Sequence, residues 1–359
     1  MLDNAYKDIK LVEAKRRVYF QEERPELIWK EVLELDQDEI RKLCEAMSNL
    51  VYDVGVPKFL VHLAAKILYL GVYKRWGHYT KESDYFARHY SHLSESMMAF
   101  LQRQYTLAHM GCSVVMTWDE TQKQMVCFRS LDWRGADDIA SATRQFSLVN
   151  KHNEEVAQIA GITAMVGVLT GVKKGFSVCI NYAPCRRSAK FKSDPTFLIR
   201  QLLEDESILT YAQAIAKVQT WEVAAPCFIS ICGVKQKEAC VLELSSQAKP
   251  HIRYIGDKGY LIQTNHYALN ESPFCQHNEK SLEGEMSEQQ WYNSELLQNS
   301  QYRETLLEEA FKKREGNSLK EDLIKMYKQV PVLNWESAQW VYMQPISGEI
   351  SIYALHEKP

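Results

Sequence analysis

Two apolar runs joined by a short polar turn are the feature that most constrains how this chain folds. The first run contains Gly111-Cys112-Ser113-Val114-Val115, and the second, Met125–Arg129, leads into Ser130-Leu131-Asp132-Trp133. Between them lies Asp119-Glu120-Thr121-Gln122, a composition typical of a turn. The pattern predicts a β-hairpin that brings Cys112, at the head of the first strand, close to Arg129 on the returning strand.

A cysteine at the head of a strand can serve as both nucleophile and base once the chain before it is cut away. A free α-amine has a pKa of about 8, close enough to neutrality to take the proton from a thiol. In the intact chain that amine is locked in the Gly111–Cys112 peptide bond, so the thiol must first attack the carbonyl carbon of Gly111. Glycine has no side chain to obstruct this strained geometry. The alternative interpretation is that Cys112 is one more buried cysteine of the core.

Composition and charge exclude some classes of function. The chain has 359 residues and a formal net charge of −3, so it lacks the basic excess with which nucleic-acid-binding proteins neutralise phosphates. It begins Met1-Leu2-Asp3-Asn4-Ala5-Tyr6-Lys7, without the basic-then-apolar order of a secretory signal. We therefore expect no nucleic-acid partner and a cytoplasmic location, with non-classical export as the alternative.

The nine cysteines favour reduced thiols over disulfides or a metal site. No Cys-x-x-Cys pair occurs, and five cysteines lie inside apolar β-like runs: Cys127, Cys179, Cys227, Cys232 and Cys240. The nearest approach to a metal cluster, His89-Tyr90-Ser91-His92, has no partnering pattern of cysteines or carboxylates. We expect neither a metal nor a cofactor.

The chain before Cys112 has helical spacing. Pro25–Val32, Asp38–Leu43 and Phe59–Tyr73 carry apolar residues at helical intervals. The third stretch has an apolar face formed by Leu60, Leu63, Ile67 and Leu70 but is too short and too charged to span a bilayer. Packing of this face against the rest of the protein and peripheral contact with a lipid surface are the two alternatives.

After Cys112 the pattern changes to short β-like runs interrupted by helical stretches. The runs are Val114–Thr117, Met125–Arg129, Phe176–Asn181, Pro226–Gly233, Cys240–Leu244, His251–Ile255, Tyr260–Asn265, Trp340–Gln344 and Glu349–Ala354. Helical spacing is present in Pro195–Leu203, Ser207–Trp221 and Leu319–Lys328. The pattern alone predicts a mixed α+β protein.

An ordered series of motifs then resembles a known family. The series contains Gly167-Val168-Leu169-Thr170-Gly171, the strand that ends at Asn181, Ala225-Pro226-Cys227-Phe228-Ile229, Gln263-Thr264-Asn265 and Pro331-Val332-Leu333-Asn334. Together with the Cys112 hairpin, it resembles the N-terminal-nucleophile cysteine hydrolases, most closely the branch of acid ceramidase and N-acylethanolamine acid amidase. This branch belongs to the wider choloylglycine hydrolase-like superfamily.

The resemblance implies an architecture. It is a four-layer αββα fold, in which two stacked sheets are covered by helices on both outer faces. Residues 1–111 are expected to form an N-terminal helical segment that stays associated as a small subunit after self-cleavage, and residues 112–359 the catalytic domain. The stretch 278–317 is longer than the corresponding connection in the family and predicts an inserted helix, either a surface helix or a lid over the acyl pocket.

The resemblance also implies roles for individual residues. Cys112 matches the nucleophile and Gly111–Cys112 the cleavage site, whereas Arg129 and Asp132 match the residues that orient the sulfur and the amine. Asn265 matches the amide that donates to the tetrahedral oxyanion, and Asn181 is expected to add a donor or shape the acyl pocket. The substrate is expected to contact Trp133, Leu63 and Ile67.

Two departures from the family pattern affect these roles. The family usually continues with Glu-Arg after the position of Asn181, whereas this chain has Tyr182-Ala183. An arginine that helps to organise the site usually follows the Gln-Thr-Asn motif, but Tyr267–Asn278 contains none. Arg186, Arg187 and Arg303 are the candidates to replace it from another direction.

These expectations combine into a self-processing cysteine amidase, made as a zymogen, that hydrolyses the amide bond of a fatty acyl amide such as ceramide or an N-acylethanolamine. Its expected partners are this lipid-like substrate, its own N-terminal fragment and, by peripheral contact, a membrane surface. The alternatives are an amidase or acyltransferase similar to penicillin acylase or bile-salt hydrolase, and a catalytically inactive lipid-binding homologue.

Overall fold

The computed structural model describes residues 7–52, 56–71, 77–102, 111–183, 192–245, 248–268, 271–275, 278, 288–314 and 318–358. Twelve of the fourteen described strands lie from Gly111 onward, whereas the described chain before Gly111 is mostly helical. The strands are β1 Lys7–Leu11, β2 Lys15–Val18, β3 Gly111–Asp119, β4 Gln124–Asp132, β5 Thr143–Val149, β6 Glu155–Ile162, β7 Thr170–Lys173, β8 Phe176–Tyr182, β9 Cys227–Cys232, β10 Ala239–Leu244, β11 His251–Tyr254, β12 Tyr260–Gln263, β13 Ser337–Gln344 and β14 Glu349–Glu357.

The helices fall into an N-terminal group and a group that follows the first hairpin. The N-terminal group is α1 Pro25–Ile28, α2 Lys30–Leu35, α3 Gln37–Tyr52, α4 Lys58–Gly71, α5 His78–Tyr90 and α6 Glu95–Gln102. The second group is α7 Ala136–Ala142, α8 Pro195–Glu204, α9 Tyr211–Val218, α10 Glu288–Lys312 and α11 Leu319–Tyr327. Of α10, the side chains are described from Leu297 onward.

The strands form two sheets. One has six strands in the order β1-β14-β13-β4-β3-β12, and the other has eight in the order β11-β10-β9-β8-β7-β6-β5-β2. Neighbouring strands are antiparallel except β2 and β5, which run parallel. The predicted hairpin is confirmed, because β3 and β4 pair from Gly111 opposite Asp132 to Asp119 opposite Gln124.

The two sheets stack face to face and helices cover both outer faces. Apolar side chains from both sheets fill the space between them, including Val114 and Val341 from one sheet and Val172, Phe228 and Val241 from the other. α8 and α9 pack on the eight-stranded sheet, whereas α10 packs on β3 and β12 and α7 on β13 and β14 of the six-stranded sheet. The four-layer αββα arrangement predicted from the sequence is therefore confirmed.

The segment before Cys112 contributes to both sheets as well as to the helices. The helices predicted in Pro25–Val32, Asp38–Leu43 and Phe59–Tyr73 are present as α1 to α4, although Val72 and Tyr73 lie outside the described residues. The sequence patterns missed β1, which pairs with β14, and β2, which pairs with β5. The N-terminal segment is thus not helical throughout and supplies one edge strand to each sheet.

A buried ionic cluster joins the N-terminal helices to the later chain. Arg200 on α8 donates from Nη1 to Glu82 Oε2 on α5 at 2.6 Å and from Nε to Glu204 Oε1 at 2.7 Å. Trp29 Nε1 donates to the same Glu82 oxygen at 2.7 Å, and the Tyr79 hydroxyl donates to Glu204 at 2.5 Å. Because both charged groups of the central pair, Arg200 and Glu82, are fully enclosed, each depends on the other to stay buried.

Helix α4 packs through a narrow face and leaves a wide one exposed. Its buried residues are Val61 and Ala65, which meet Met97 of α6. The predicted apolar face, Leu60, Leu63, Ile67 and Leu70, is exposed together with Phe59. Packing of that face is therefore wrong for the described residues, and peripheral contact with a lipid surface stays a prediction. Among the described helices, none is long and apolar enough to cross a membrane.

Candidate active site

The hairpin register places Cys112 and Arg129 on the same face of the six-stranded sheet. Val114 lies directly opposite Arg129, and Cys112, two residues earlier on the same strand, therefore points to the same side. Arg129 Nη2 donates to Cys112 Sγ at 3.2 Å and to the carbonyl oxygen of Ile180 on the facing sheet at 3.1 Å. Burial raises the pKa of the Cys112 thiol, while the positive charges of Arg129 and Arg303 favour the thiolate.

Asp132 lies against the Gly111–Cys112 peptide. It pairs with Gly111 across the ladder, and a Cβ atom placed on Gly111 would lie 3.0 Å from Asp132 Cβ and 3.1 Å from its Oδ2. Oδ1 accepts from Ser337 Oγ at 2.7 Å, whereas Oδ2 is buried with no hydrogen-bond partner among the described residues. Burial raises the pKa of Asp132 despite the opposing charge of Arg303. A side chain at position 111 would therefore crowd the Asp132 carboxylate.

Asn265 contacts the backbone of Cys112, whereas Asn181 contacts the backbone of the turn that carries Asn265. The Cys112 backbone N–H donates to Asn265 Oδ1 at 2.8 Å, and Asn265 Nδ2 donates to the Tyr182 carbonyl at 3.0 Å. The amide of Asn265 therefore presents its oxygen to Cys112 before any cleavage. Asn181 Nδ2 donates to the carbonyls of Gln263 and Thr264 at 3.0 and 2.9 Å, so it holds the turn that carries Asn265.

Arg303 of α10 enters this site from a distant part of the sequence. Its Nη1 donates to the Cys112 carbonyl at 2.8 Å and to Ser113 Oγ at 2.7 Å, and its Nη2 donates to Asn265 Oδ1 at 2.8 Å. The planar guanidinium thus fixes the backbone of the nucleophile and the oxygen of Asn265 together. Arg303 occupies the site as a second arginine, while Arg186 and Arg187 lie outside the described residues.

The residues predicted to bind substrate are placed differently from one another. Trp133 is buried and lines a small apolar pocket of about 30 Å³ between α3, α6, α7 and β6. Leu63 and Ile67 do not line this pocket and are 52% and 55% exposed on α4. They point outward because α4 packs on α6 through its smaller residues, and their contact with substrate stays a prediction.

Comparison with known proteins assigns the chain to a family. Residues 130–332 match the family model of acyl-coenzyme A:6-aminopenicillanic acid acyl-transferase. The chain belongs to this family. The matched range contains Asp132, Asn181, Asn265 and Arg303 and begins immediately after Arg129.

A protein sequence and a solved structure, both from Caenorhabditis elegans, are similar to this chain. An N-acylethanolamine-hydrolyzing acid amidase is 24% identical over an alignment of 174 residues that covers 44% of this chain and 46% of that protein. The chain therefore spans a little under half the length of this relative. A solved structure of an N-acylethanolamine-hydrolyzing acid amidase ortholog has a TM-score of 0.48 at 18% identity, covering 66% of this chain and 93% of that one. The family and the first relative agree with the resemblance found in the sequence.

Proposed function

We propose that this chain is a self-processing cysteine amidase that acts on a fatty acyl amide. The observation that carries the proposal is the arrangement around the Gly111–Cys112 peptide. Arg129 contacts the thiol at 3.2 Å, and a buried oxygen of Asp132 faces the peptide with no partner among the described residues. A carboxylate oxygen in that position is suited to hold the α-amine that cleavage would release.

The first reaction is the cut itself. The Cys112 thiolate attacks the carbonyl carbon of Gly111, the C–N bond breaks, and the acyl group moves to sulfur while the nitrogen takes a proton and becomes the α-amine. Water then opens the thioester, which leaves a carboxylate on Gly111 and returns the thiol. Because Arg303 holds the Cys112 carbonyl at 2.8 Å, the nucleophile keeps its position while the bond before it breaks.

The second reaction uses the same thiol on a substrate amide. The free amine of Cys112, held by Asp132, takes the thiol proton, and the thiolate attacks the acyl carbon. The amine then returns that proton to the leaving nitrogen, and water hydrolyses the acyl thioester to give the fatty acid. Arg129 stays on the sulfur. In the intact chain the Asn265 oxygen faces Cys112 and its Nδ2 donates to the Tyr182 carbonyl, so Asn265 can donate to the oxygen on which negative charge develops only after its amide turns.

Intact-mass measurement tests the self-processing step. Purified wild-type protein is expected to separate on denaturation into a fragment ending at Gly111 and another beginning at Cys112, whereas Cys112→Ala stays whole because it has no nucleophile. Cys275→Ala is a matched control, since Cys275 is a half-buried thiol outside the site, and it should be cut like wild type. A folded wild-type chain that remains uncut from acid to neutral pH would contradict the proposal.

Two observations support a fatty acyl amide as the proposed substrate: the apolar pocket beside Trp133 and the N-acylethanolamine hydrolysis named for the relative. A pocket of about 30 Å³ holds roughly two water-sized groups, so a long acyl chain requires the residues around it to move apart. Each methylene that then becomes buried contributes about 0.8 kcal/mol, or roughly fourfold in binding. Ceramide and an N-acylethanolamine each carry a long acyl chain joined through an amide, so either would be a suitable substrate.

A series of fluorogenic acyl amides that differ only in chain length tests this substrate class. We expect kcat/KM to rise from short to long chains until solubility limits the measurement, and Cys112→Ala to give no turnover with any of them. A preference for acetyl or phenylacetyl amides over lauroyl amides would instead favour an activity similar to penicillin acylase. Absence of turnover in a correctly cut protein would favour an inactive lipid-binding homologue.

Acyl transfer is the second candidate, because the family model that matches this chain describes an acyl-transferase. The acyl thioester on Cys112 can be resolved by an amine as well as by water, and both routes use the same residues. Adding a primary amine to the acyl amide assay separates them. Formation of the new amide at the expense of the free acid indicates transfer, whereas an unchanged yield of acid indicates hydrolysis.

A further inference from the structure

A second polar cluster connects the turn that carries Asn265 to helix α10. The Asn265 backbone N–H donates to Ser300 Oγ at 2.7 Å. His266 Nδ1 lies 2.9 Å from Ser300 Oγ and 3.1 Å from Thr264 Oγ1, and its Nε2 lies 3.0 Å from Glu304 Oε2. His266, Thr264 and Ser300 are buried, whereas the Glu304 side chain is 30% exposed and closes the cluster at the surface.

The hydrogen bonds of this cluster can be satisfied in one direction along a chain. Ser300 Oγ donates its proton to Thr264 Oγ1 at 2.9 Å, which leaves Thr264 to donate to His266 Nδ1. With this direction Nδ1 accepts, and Nε2 carries a ring proton. From there it points at the Glu304 carboxylate. This chain of hydrogen bonds runs from Ser300 through Thr264 and His266 to Glu304, and each donor in it has an acceptor.

The spacing of these residues on α10 links the cluster to Arg303. Ser300 and Glu304 are one helical turn apart on the face of α10 that contacts residues 264–266. Arg303 lies between them in the sequence. Arg303 Nε is also held by Asn299 Oδ1 at 2.8 Å, one turn earlier. Any rotation or slide of α10 that broke the contacts of Ser300 or Glu304 would withdraw the Arg303 guanidinium from Cys112 and Asn265.

We propose that His266 and Glu304 are positioning residues that lock α10 against the Gln263–His266 turn and so fix Arg303 and Asn265 in the site. This pair, together with Ser300 and Thr264, is the α10 latch. Its contacts are to the turn and the helix and do not include Cys112, so it acts through Arg303 and Asn265. The proposal rests on the proposed function, because the reaction is what the latch would support.

Helix α10 also offers a matched control. Glu308 lies one turn after Glu304 and pairs with Lys258 Nζ at 3.2 Å. The side chains of Glu304 and Glu308 are 30% and 31% exposed. Replacing Glu308 therefore removes an equally exposed carboxylate from the same helix. The partner of Glu308, Lys258, is 66% exposed, and the turn that carries Asn265 is left untouched.

The kinetic test compares Glu304→Ala, Glu304→Gln and Glu308→Ala in the full chain. Glu304→Ala should slow both self-cleavage and kcat for an acyl amide by about tenfold or more, because partners that orient active-site groups commonly contribute that much. KM should stay unchanged. Glu304→Gln should recover most of the rate, since its amide oxygen still accepts from Nε2, and Glu308→Ala should behave like wild type. Equal rates for Glu304→Ala and Glu308→Ala would contradict the positioning role of the α10 latch.

A spectroscopic measurement tests the latch without using activity. The nitrogen chemical shifts of the His266 ring, assigned by comparison with His266→Gln, should report a proton on Nε2, and Glu304→Ala should change them. A His266 ring protonated on Nδ1 alone could not donate from Nε2 to Glu304, and this result would contradict the proposed latch even in an active protein. A wild-type chain that is neither cut nor active, but has the expected proton on Nε2, overturns the proposed function and the role of the latch in it, while the hydrogen-bond chain itself stands.

Discussion

Glu336 is a carboxylate beside the site that neither the proposed reactions nor the α10 latch employs. Its backbone carbonyl accepts from Trp133 N–H at 2.7 Å, and its side chain lies 3.9 Å from Arg134 with 18% of its surface exposed. Burial raises its pKa from 4.5 to about 7, and the neighbouring charge of Asp132 acts in the same direction. Glu336 therefore changes its charge near neutral pH.

This shift predicts a pH dependence of stability. A carboxyl group whose pKa is higher in the folded chain binds more protons there, so the free energy of unfolding falls as the pH rises from 4.5 to about 7. The penalty is absent below that window and complete above it. We expect Glu336→Gln to match wild type near pH 4.5 and to be more stable at pH 8 by about 1 to 3 kcal/mol.

Urea unfolding of wild type and Glu336→Gln at both pH values measures this difference, and the other titrating groups cancel between the two proteins. A stability difference that is the same at pH 4.5 and pH 8 would mean that Glu336 has its ordinary pKa in the folded chain.

The residues of the site could be predicted from the sequence where they are carried by short motifs. Cys112 and Arg129 belong to one hairpin, and the structure brings Asp132 and Asn265 to the same place. Arg303 was only one of three candidates, since it lies 38 residues beyond its partner Asn265. Such a contact depends on how α10 packs in three dimensions, which no local pattern records. The orientation of the Asn265 amide, with its oxygen toward Cys112, was likewise not predictable from residue type.

At the scale of secondary structure, predictability followed the apolar pattern only in part, because the largely buried strands β5 and β6 were not predicted. β8, β9, β10 and the β3–β4 hairpin are buried strands with apolar runs, and all were predicted. The N-terminal strands read Lys7-Asp8-Ile9-Lys10-Leu11 and Lys15-Arg16-Arg17-Val18. Their charged side chains are typical of sheet edges and hide the strand pattern.

Helix α10 illustrates the same limit. The sequence predicted an inserted helix in residues 278–317, with a surface helix and a lid as alternatives. The described part of α10 instead buries Leu297, Ser300, Arg303 and Leu307 along one face. Two of these four residues are polar, so an apolar periodicity could not reveal that this face packs against β3 and β12.

At the scale of the whole molecule, the chain before Cys112 is integrated into the body of the protein. It provides an edge strand to each sheet, packs α3 and α6 around the pocket beside Trp133, and encloses Glu82 against Arg200 of α8. A cut between Gly111 and Cys112 removes one peptide bond and none of these contacts. The division into residues 1–111 and 112–359 would then be a division of the chain and not of the fold.

This integration predicts that the two fragments remain one particle after cleavage. Cut wild-type protein should elute from a sizing column as a single species containing both fragments, and they should separate only in denaturant. Arg200→Leu should lower the denaturant concentration at which they separate, because it leaves Glu82 and Glu204 buried without their cation. Losing one partner of a buried ion pair costs about 3 to 5 kcal/mol.

Arg88→Leu is the control for this measurement. Arg88 lies on α5 like Glu82, but its pair with Glu95 at 3.0 Å is solvent-exposed, with 59% and 41% of the two side chains accessible. Exposed pairs contribute about 0 to 1 kcal/mol, so this variant should separate at nearly the same denaturant concentration as wild type. Fragments that come apart in native buffer would contradict the shared fold. Equal midpoints for Arg200→Leu and Arg88→Leu would show that the two edge strands, and not the buried ionic cluster, hold the fragments together.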